Sequence, residues 1–304
     1  MKKEIILGHF MSLFAVFVWG VTFSSTKILL IHLTAIEILL YRFIVAYIFL
    51  LIIHPKFKKI ESLKEEMVFL SLGLFGISFY FLLENIALKY TLASNVGLYM
   101  STIPILTTLL VVFGKGEEKF KKEFIYGFIV AILGIFLIMF NGQFVLKIKP
   151  IGDILSILAA LSFAMYSNLL KKISDKHNKL YITRKIFFYG IITALPIAFL
   201  TSSEFSLEIF LIPEVFGNIL FLGIVASSMC FVMWNKAVSL IGAIKTSSYI
   251  YLIPIITIIS SVIIIKEQLT VIMIVGGALT LSGVYISENG FKLIKSKKVK
   301  GIKS

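Results

Sequence analysis

Apolar residues in this chain gather in long runs separated by short polar gaps, and the runs fall near 9 to 28, 34 to 53, 67 to 88, 92 to 113, 123 to 140, 152 to 171, 181 to 200, 214 to 236, 240 to 265 and 270 to 288. Each run approaches the roughly 20 residues that an α-helix needs to cross a hydrocarbon core. The gaps carry turn-forming residues: His54-Pro55-Lys56, Gly114-Lys115-Gly116-Glu117, Asn141-Gly142, Lys149-Pro150, Ser202-Ser203-Glu204 and Gly242. None is long enough for a soluble domain. Lys2 and Lys3 ahead of the first run resemble the start of a secretory leader, but the run is long and has no cleavage pattern, so it is taken as the first helix. The pattern predicts an all-α membrane protein of ten transmembrane helices.

The runs repeat. Residues 78–117 align with 228–267 at a constant offset of 150, with 12 identities in 40 positions. They include Ser78/Ser228, Phe81/Phe231, Asn85/Asn235, Ala93/Ala243, Tyr99/Tyr249, Pro104/Pro254, Thr107/Thr257 and Glu117/Glu267. At nearby offsets Trp19 and Lys27 match Phe163 and Lys171, and Gly127 and Gly134 match Gly276 and Gly283. Residues 1–145 and 146–304 are therefore expected to be two copies of one unit, the second ending in a basic tail. With five helices per copy, an odd number, the second copy enters the membrane upside down, which gives two inverted five-helix repeats.

Composition narrows the class. The chain is 59% hydrophobic and 15% charged, with a mean hydropathy of +0.99, which a water-soluble domain could not hide. Its net charge of +14 would suit a nucleic-acid binder, but the basic residues sit mostly in the gaps and the tail. Twenty-one lysines fall on the side of the termini and 4 on the other, so the positive-inside rule places both termini in the cytoplasm. No nucleic-acid partner is expected; the partners are a small-molecule substrate and the lipid bilayer, with a homodimer possible. Cys230 is the one cysteine, Asp153 and Asp175 the only aspartates, and no phosphate-binding loop is present. Disulfides, metals, cofactors and ATP-driven pumping are not expected, and a lipid-modifying enzyme would need a His/Asp/Glu cluster that the sequence lacks. A membrane scaffold without solute flux is the rival from a different class. The 28 lysines against 2 arginines suit an AT-rich bacterial genome, hence a bacterial plasma membrane.

Candidate site residues are polar or aromatic groups inside the runs. Pro104 and Pro254 fall mid-run, where a missing N–H predicts a kink and a hinge. Arg42 lies two turns into the second run, where facing lipid would be costly, so it meets a substrate carboxylate, Glu84, or a structural partner. Glu84 is the proton-coupling candidate, against the alternative of a headgroup-bathed position; Glu37 lies nearer the surface. Asn85, toward the outer end of the third run, and Asn235, at the inner end of the eighth, are repeat-related polar groups. Trp19, Tyr99, Phe163, Tyr166, Trp234 and Tyr249 could line a stacking pocket or simply pack, and Lys245 is ambiguous. The small residues of the fifth and tenth runs suggest close helix packing, and Lys292 to Lys303 could touch anionic lipid.

Trp19-Gly20, Leu40-Tyr41-Arg42-Phe43, the Asn85-x-Ala87 and Pro104 signature, its echo at Asn235-x-Ala237 and Pro254, Lys266-Glu267-Gln268-Leu269-Thr270 and the glycines at 276 and 283 together resemble the EamA-type drug/metabolite transporter superfamily over nearly the whole chain. The resemblance implies a secondary transporter, typically an exporter of amino acids and other metabolites, with some relatives importing nucleotides or sugars. It implies a cavity lined by helices 1, 3, 4, 6, 8 and 9, with 5 and 10 behind. The essential first-helix glutamate of small multidrug relatives has no counterpart here.

Overall fold

The computed structural model describes residues 2–57, 62–115, 122–140, 150–170, 172–173, 177–201, 205–241, 246 and 248–289. Among them every regular element is a helix. In chain order they are α1 (Lys2–Leu29), α2 (Ala35–Ile53), α3 (Leu63–Tyr90), α4 (Ala93–Met100), α5 (Ile103–Lys115), α6 (Lys122–Phe140), α7 (Ile151–Leu170), α8 (Lys179–Leu200), α9 (Pro213–Ile241), α10 (Ile253–Ile264) and α11 (Val271–Asn289). Six of these, α1, α2, α3, α7, α8 and α9, are long and apolar enough to cross a membrane, and shorter apolar helices cover Ile125–Ile138, Tyr249–Ile264 and Val271–Gly283. The protein is therefore a multi-span membrane protein. Lys245, Glu117, Lys171 and the tail from 290 onward, with much of the lysine count, lie outside the described residues.

Local chemistry sets several helix ends. Thr34 and Glu37 form a reciprocal capping box on α2, with the Thr34 amide donating to Glu37 Oε2 at 2.8 Å, so Glu37 is buried in this role. Asn178 caps α8 through the Leu180 amide, and Pro213 opens α9 where a missing N–H costs nothing.

The fourth run is not one kinked helix. It breaks after Met100, and Pro104 becomes the second residue of α5. The Ser101 and Thr102 hydroxyls donate to the carbonyls of Leu98 and Tyr99, three residues back, and their amides do the same. This tight turn ends α4, and Pro104 cannot donate to restore the ladder. Pro254 likewise follows a 3-10 turn, Ser248–Leu252, at the start of α10.

Helix contacts follow the repeat. α3 and α9 each contain a π-helical stretch, Leu74–Phe79 and Phe221–Met229. Within them Ser78 donates to the Gly190 carbonyl at 2.8 Å and Ser228 to the Ala46 carbonyl at 3.1 Å. The two serines are 150 apart and the two acceptors 144 apart, the spacings found in the sequence. α1 packs on α9 as α7 packs on α3, and α6 pairs closely with α11. In that last pair a Cβ on Gly134 would lie 2.4 Å from the Thr280 amide nitrogen, and one on Gly283 would lie 2.2 Å from that of Ala131. Only glycine allows this approach, which replaces hydrophobic driving force with close backbone contact. The outer faces, such as Ile129, Leu133 and Phe136, are apolar, while serine and threonine are buried inside.

Candidate functional site

Where α1, α2, α3, α7, α9 and the α4–α5 and α10 segments converge lies a small, partly open cavity of about 40 Å³. Its wall pairs residues of the two halves: Phe81 with Phe231, Met100 with Ile250 and Ile103 with Ile253 are each 150 apart, and Trp19 with Phe163 is 144 apart. Onto this apolar shell the first half alone adds Arg42, Glu84, Tyr80 and Thr22.

Arg42 is 2% exposed. Its Nε donates to Ser227 Oγ at 2.6 Å, a serine carried by the π stretch of α9, and its guanidinium lies 4.3 Å over the Phe81 ring. The side chain is thus held from α9 and α3 while rooted on α2. Glu84 is 1% exposed, one turn beyond Tyr80 on α3, and interacts electrostatically with Arg42. Its Oε1 is buried without a hydrogen-bond partner. A headgroup-bathed position for Glu84 is ruled out by this burial. The cavity therefore holds a guanidinium and a carboxyl group within an aromatic shell.

Of the sequence-predicted residues, Trp19, Arg42, Glu84 and Phe163 line this cavity. The others are placed elsewhere. Asn85 Nδ2 donates to the Ala35 carbonyl at 3.0 Å and Asn235 Nδ2 to Thr183 Oγ1 at 3.2 Å, so both tie neighbouring helices together. Trp234 packs tilted against Trp19 at 5.0 Å between ring centres, and the Trp19 indole donates to the Ala226 carbonyl. Tyr166 packs against Gly76, Tyr249 bonds His9 at 2.8 Å, and Tyr99 is fully buried near Asp153. Arg184 donates to the His54 and Lys56 carbonyls at the start of α8. Phe231, Ile250, Ile253, Met100 and Ile103 were missed as lining residues, although as repeat-related positions they carried the signal that would have found them.

A second polar centre closes one end of the bundle. The Glu267 carboxylate accepts from the Ala93 amide at 2.7 Å, from the Ser94 amide and hydroxyl at 3.2 and 2.9 Å, and from Lys27 Nζ at 3.2 Å. Burial raises the pKa of this carboxyl, but the Ala93 amide, Lys27 and Ser94 outweigh it and hold it below the usual range. Glu267 lies in the 266–270 segment between α10 and α11, so the network joins that segment to the ends of α1 and α4.

The profile of the EamA-like transporter family matches residues 6–140 and again residues 150–288. An uncharacterized transporter of Archaeoglobus fulgidus is 27% identical over 92% of this chain and 96% of its own length. The uncharacterized transporter YyaM of Bacillus subtilis is 27% identical over 87% of this chain and 90% of its own. A Salmonella typhimurium protein named as a probable amino-acid metabolite efflux pump is 21% identical over 96% and 98%. A solved crystal structure shares the fold with a TM-score of 0.63 at 16% identity, covering 97% of this chain and 99% of that one. The double match spans nearly all of the described helices, and the chain belongs to the EamA-like transporter family.

Proposed function

We propose that this protein is a secondary-active transporter that exports amino acids, or metabolites of similar size and charge, across a bacterial plasma membrane by alternating access. The carrying observation is the Arg42–Glu84 pair in the shared cavity: Arg42 takes the solute carboxylate, Glu84 Oε1 its ammonium, and the aromatic wall its side chain. In this reading the chain crosses the membrane ten times as two inverted repeats with both termini inside, and the breaks before Pro104 and Pro254 are the hinges. The naming of the Salmonella relative as a probable amino-acid metabolite efflux pump supports the solute class and direction.

The test is counterflow in proteoliposomes with a labelled amino-acid set. Purified protein should accelerate exchange of at least one zwitterion, and Arg42→Gln should lower that exchange by a hundredfold or so, as loss of one buried charged contact implies. Folded protein that moves no solute of the set would defeat the reading. A periplasm-active reporter fused at Gly142 should be active and one at Lys119 silent.

A further inference from the structure

Beyond the cavity, Thr91, Asn95 and Tyr99 recur every fourth residue along α4 and its entry, and all three face the carboxylate of Asp153 in the first turn of α7. Asp153 is 5% exposed, Asn95 7% and Tyr99 0%. Thr91 Oγ1 donates to Asp153 Oδ1 at 2.8 Å, and Asn95 Nδ2 donates to Thr91 Oγ1 at 3.0 Å. Asn95 Oδ1 and the Tyr99 hydroxyl oxygen are buried without a well-formed hydrogen bond, and the Tyr99 hydroxyl and the Asn95 amide lie beside the Asp153 carboxylate. A buried carboxylate surrounded only by neutral donors is costly without a counter-charge. Lys27, the ammonium nearest in the network, is already shared between the Thr91 carbonyl and Glu267.

The other half of the molecule shows that the fold does not require this arrangement. The positions repeat-related to Asp153 and Tyr99 are His9 and Tyr249, and there the tyrosine hydroxyl is satisfied by His9 Nδ1 at 2.8 Å. At the Asp153 end, by contrast, the tyrosine hydroxyl meets a buried acid and lacks a well-formed bond.

We propose that Asp153, Thr91, Asn95 and Tyr99 form a binding site for Na⁺ between α4 and α7. The donor set is carboxylate, amide carbonyl, phenol and hydroxyl oxygen, which suits a hard cation, and its single negative charge matches one positive charge where a calcium site would gather several carboxylates. Among the described residues no group of three or more His, Cys, Asp or Glu could hold a transition metal. The positive end of α4 does not repel the cation, since Glu267 already caps it. The site joins one helix from each half, one of them part of an interrupted span, the setting in which transporters hold coupling ions. Resting on the transport reading above, Asp153 lies at the outer end of α7, so external Na⁺ loads there as solute leaves, and Thr91 links the ion to the Lys27–Glu267 closure.

Binding is tested first, without transport. Full-length protein in detergent, with choline chloride holding ionic strength constant, should show a saturable rise in unfolding midpoint with NaCl, and bind ²²Na⁺ near one per chain. Asp153→Asn should abolish both, and the milder Tyr99→Phe and Asn95→Ala should weaken apparent affinity about tenfold while leaving the choline midpoint close to wild type. No Na⁺-specific binding by the wild type, binding that survives in Asp153→Asn and Tyr99→Phe, or a midpoint that follows pH but not Na⁺ would each overturn the site. Proteoliposome flux is the separate arm. Na⁺ binding with no solute flux upholds the site and sinks the transport reading; flux indifferent to a Na⁺ gradient, with ²²Na⁺ bound, refutes the coupling role.

Discussion

Replacing Arg42 by glutamine removes three attachments at once: the hydrogen bond to Ser227, the contact over Phe81 and the charge facing Glu84. Stranding the buried Glu84 carboxyl, which faces Arg42 without a direct ion pair and can take up a proton instead, brings the cost to about 3 kcal/mol, the low end for broken buried pairs. Glu84→Gln costs less, about 2–3 kcal/mol, because Arg42 keeps Ser227 and Phe81 as partners. The double variant has no stranded charge, so its loss should fall short of the sum of the singles by about 2 kcal/mol or more. Reversible unfolding of the full-length protein in mixed micelles measures all four corners of this cycle. Effects that add to within about 0.5 kcal/mol would refute the coupling of the two charges across the cavity.

Three further outcomes follow from particular contacts. Because the folded-state pKa of Glu267 is lowered, its stabilisation is intact above the ordinary value of 4.5 and is lost as pH falls below that and through the folded-state value; midpoints in detergent from neutral to acid pH should show this limb, and Glu267→Gln should flatten it. Gly134→Val and Gly283→Val press a side chain into the backbone of the facing helix and should cost about 3 kcal/mol or more, seen as loss of monodisperse protein, whereas Gly217→Ala, with nothing within 4 Å, should be neutral or stabilising by about 0.5–1 kcal/mol. Ser78→Ala and Ser228→Ala each remove one repeat-related bond to a carbonyl and should cost similar amounts, about 1 kcal/mol apiece in micelle unfolding; strongly unequal losses would contradict the equivalence of the two contacts.

Much of the architecture is legible in the apolar runs because a membrane helix must be continuous in hydrophobicity, and the offset of 150 already pairs the cavity walls. Arg42 and Glu84 stand out as charges inside such runs, where lipid exposure is untenable. What the pattern hides is direction around the helix axis. Asn85 follows Glu84 directly but points to Ala35, because a one-residue step turns a side chain by about 100°, and its repeat counterpart Asn235 points to Thr183. The π stretches in α3 and α9 likewise have no residue code, since they arise from how the serine and glycine faces settle against α8 and α2. The network around Glu267 joins positions 174 and 240 residues apart, a distance that local pattern cannot bridge.

Near-symmetry and its exceptions carry different parts of the proposed mechanism. Walls such as Phe81 with Phe231 and Ile103 with Ile253 bury similar apolar surface from either half, so exchanging the shapes of the two halves changes little in hydrophobic energy. Two conformations balanced in this way are biased by whatever the repeat does not share. Those unshared groups are Arg42 and Glu84, whose counterparts by offset are Ile186 and Trp234, and Asp153, whose counterpart is His9. In the proposed mechanism, solute at the first pair and a cation at the second would bias such an equilibrium, each through a few kcal/mol of differential binding.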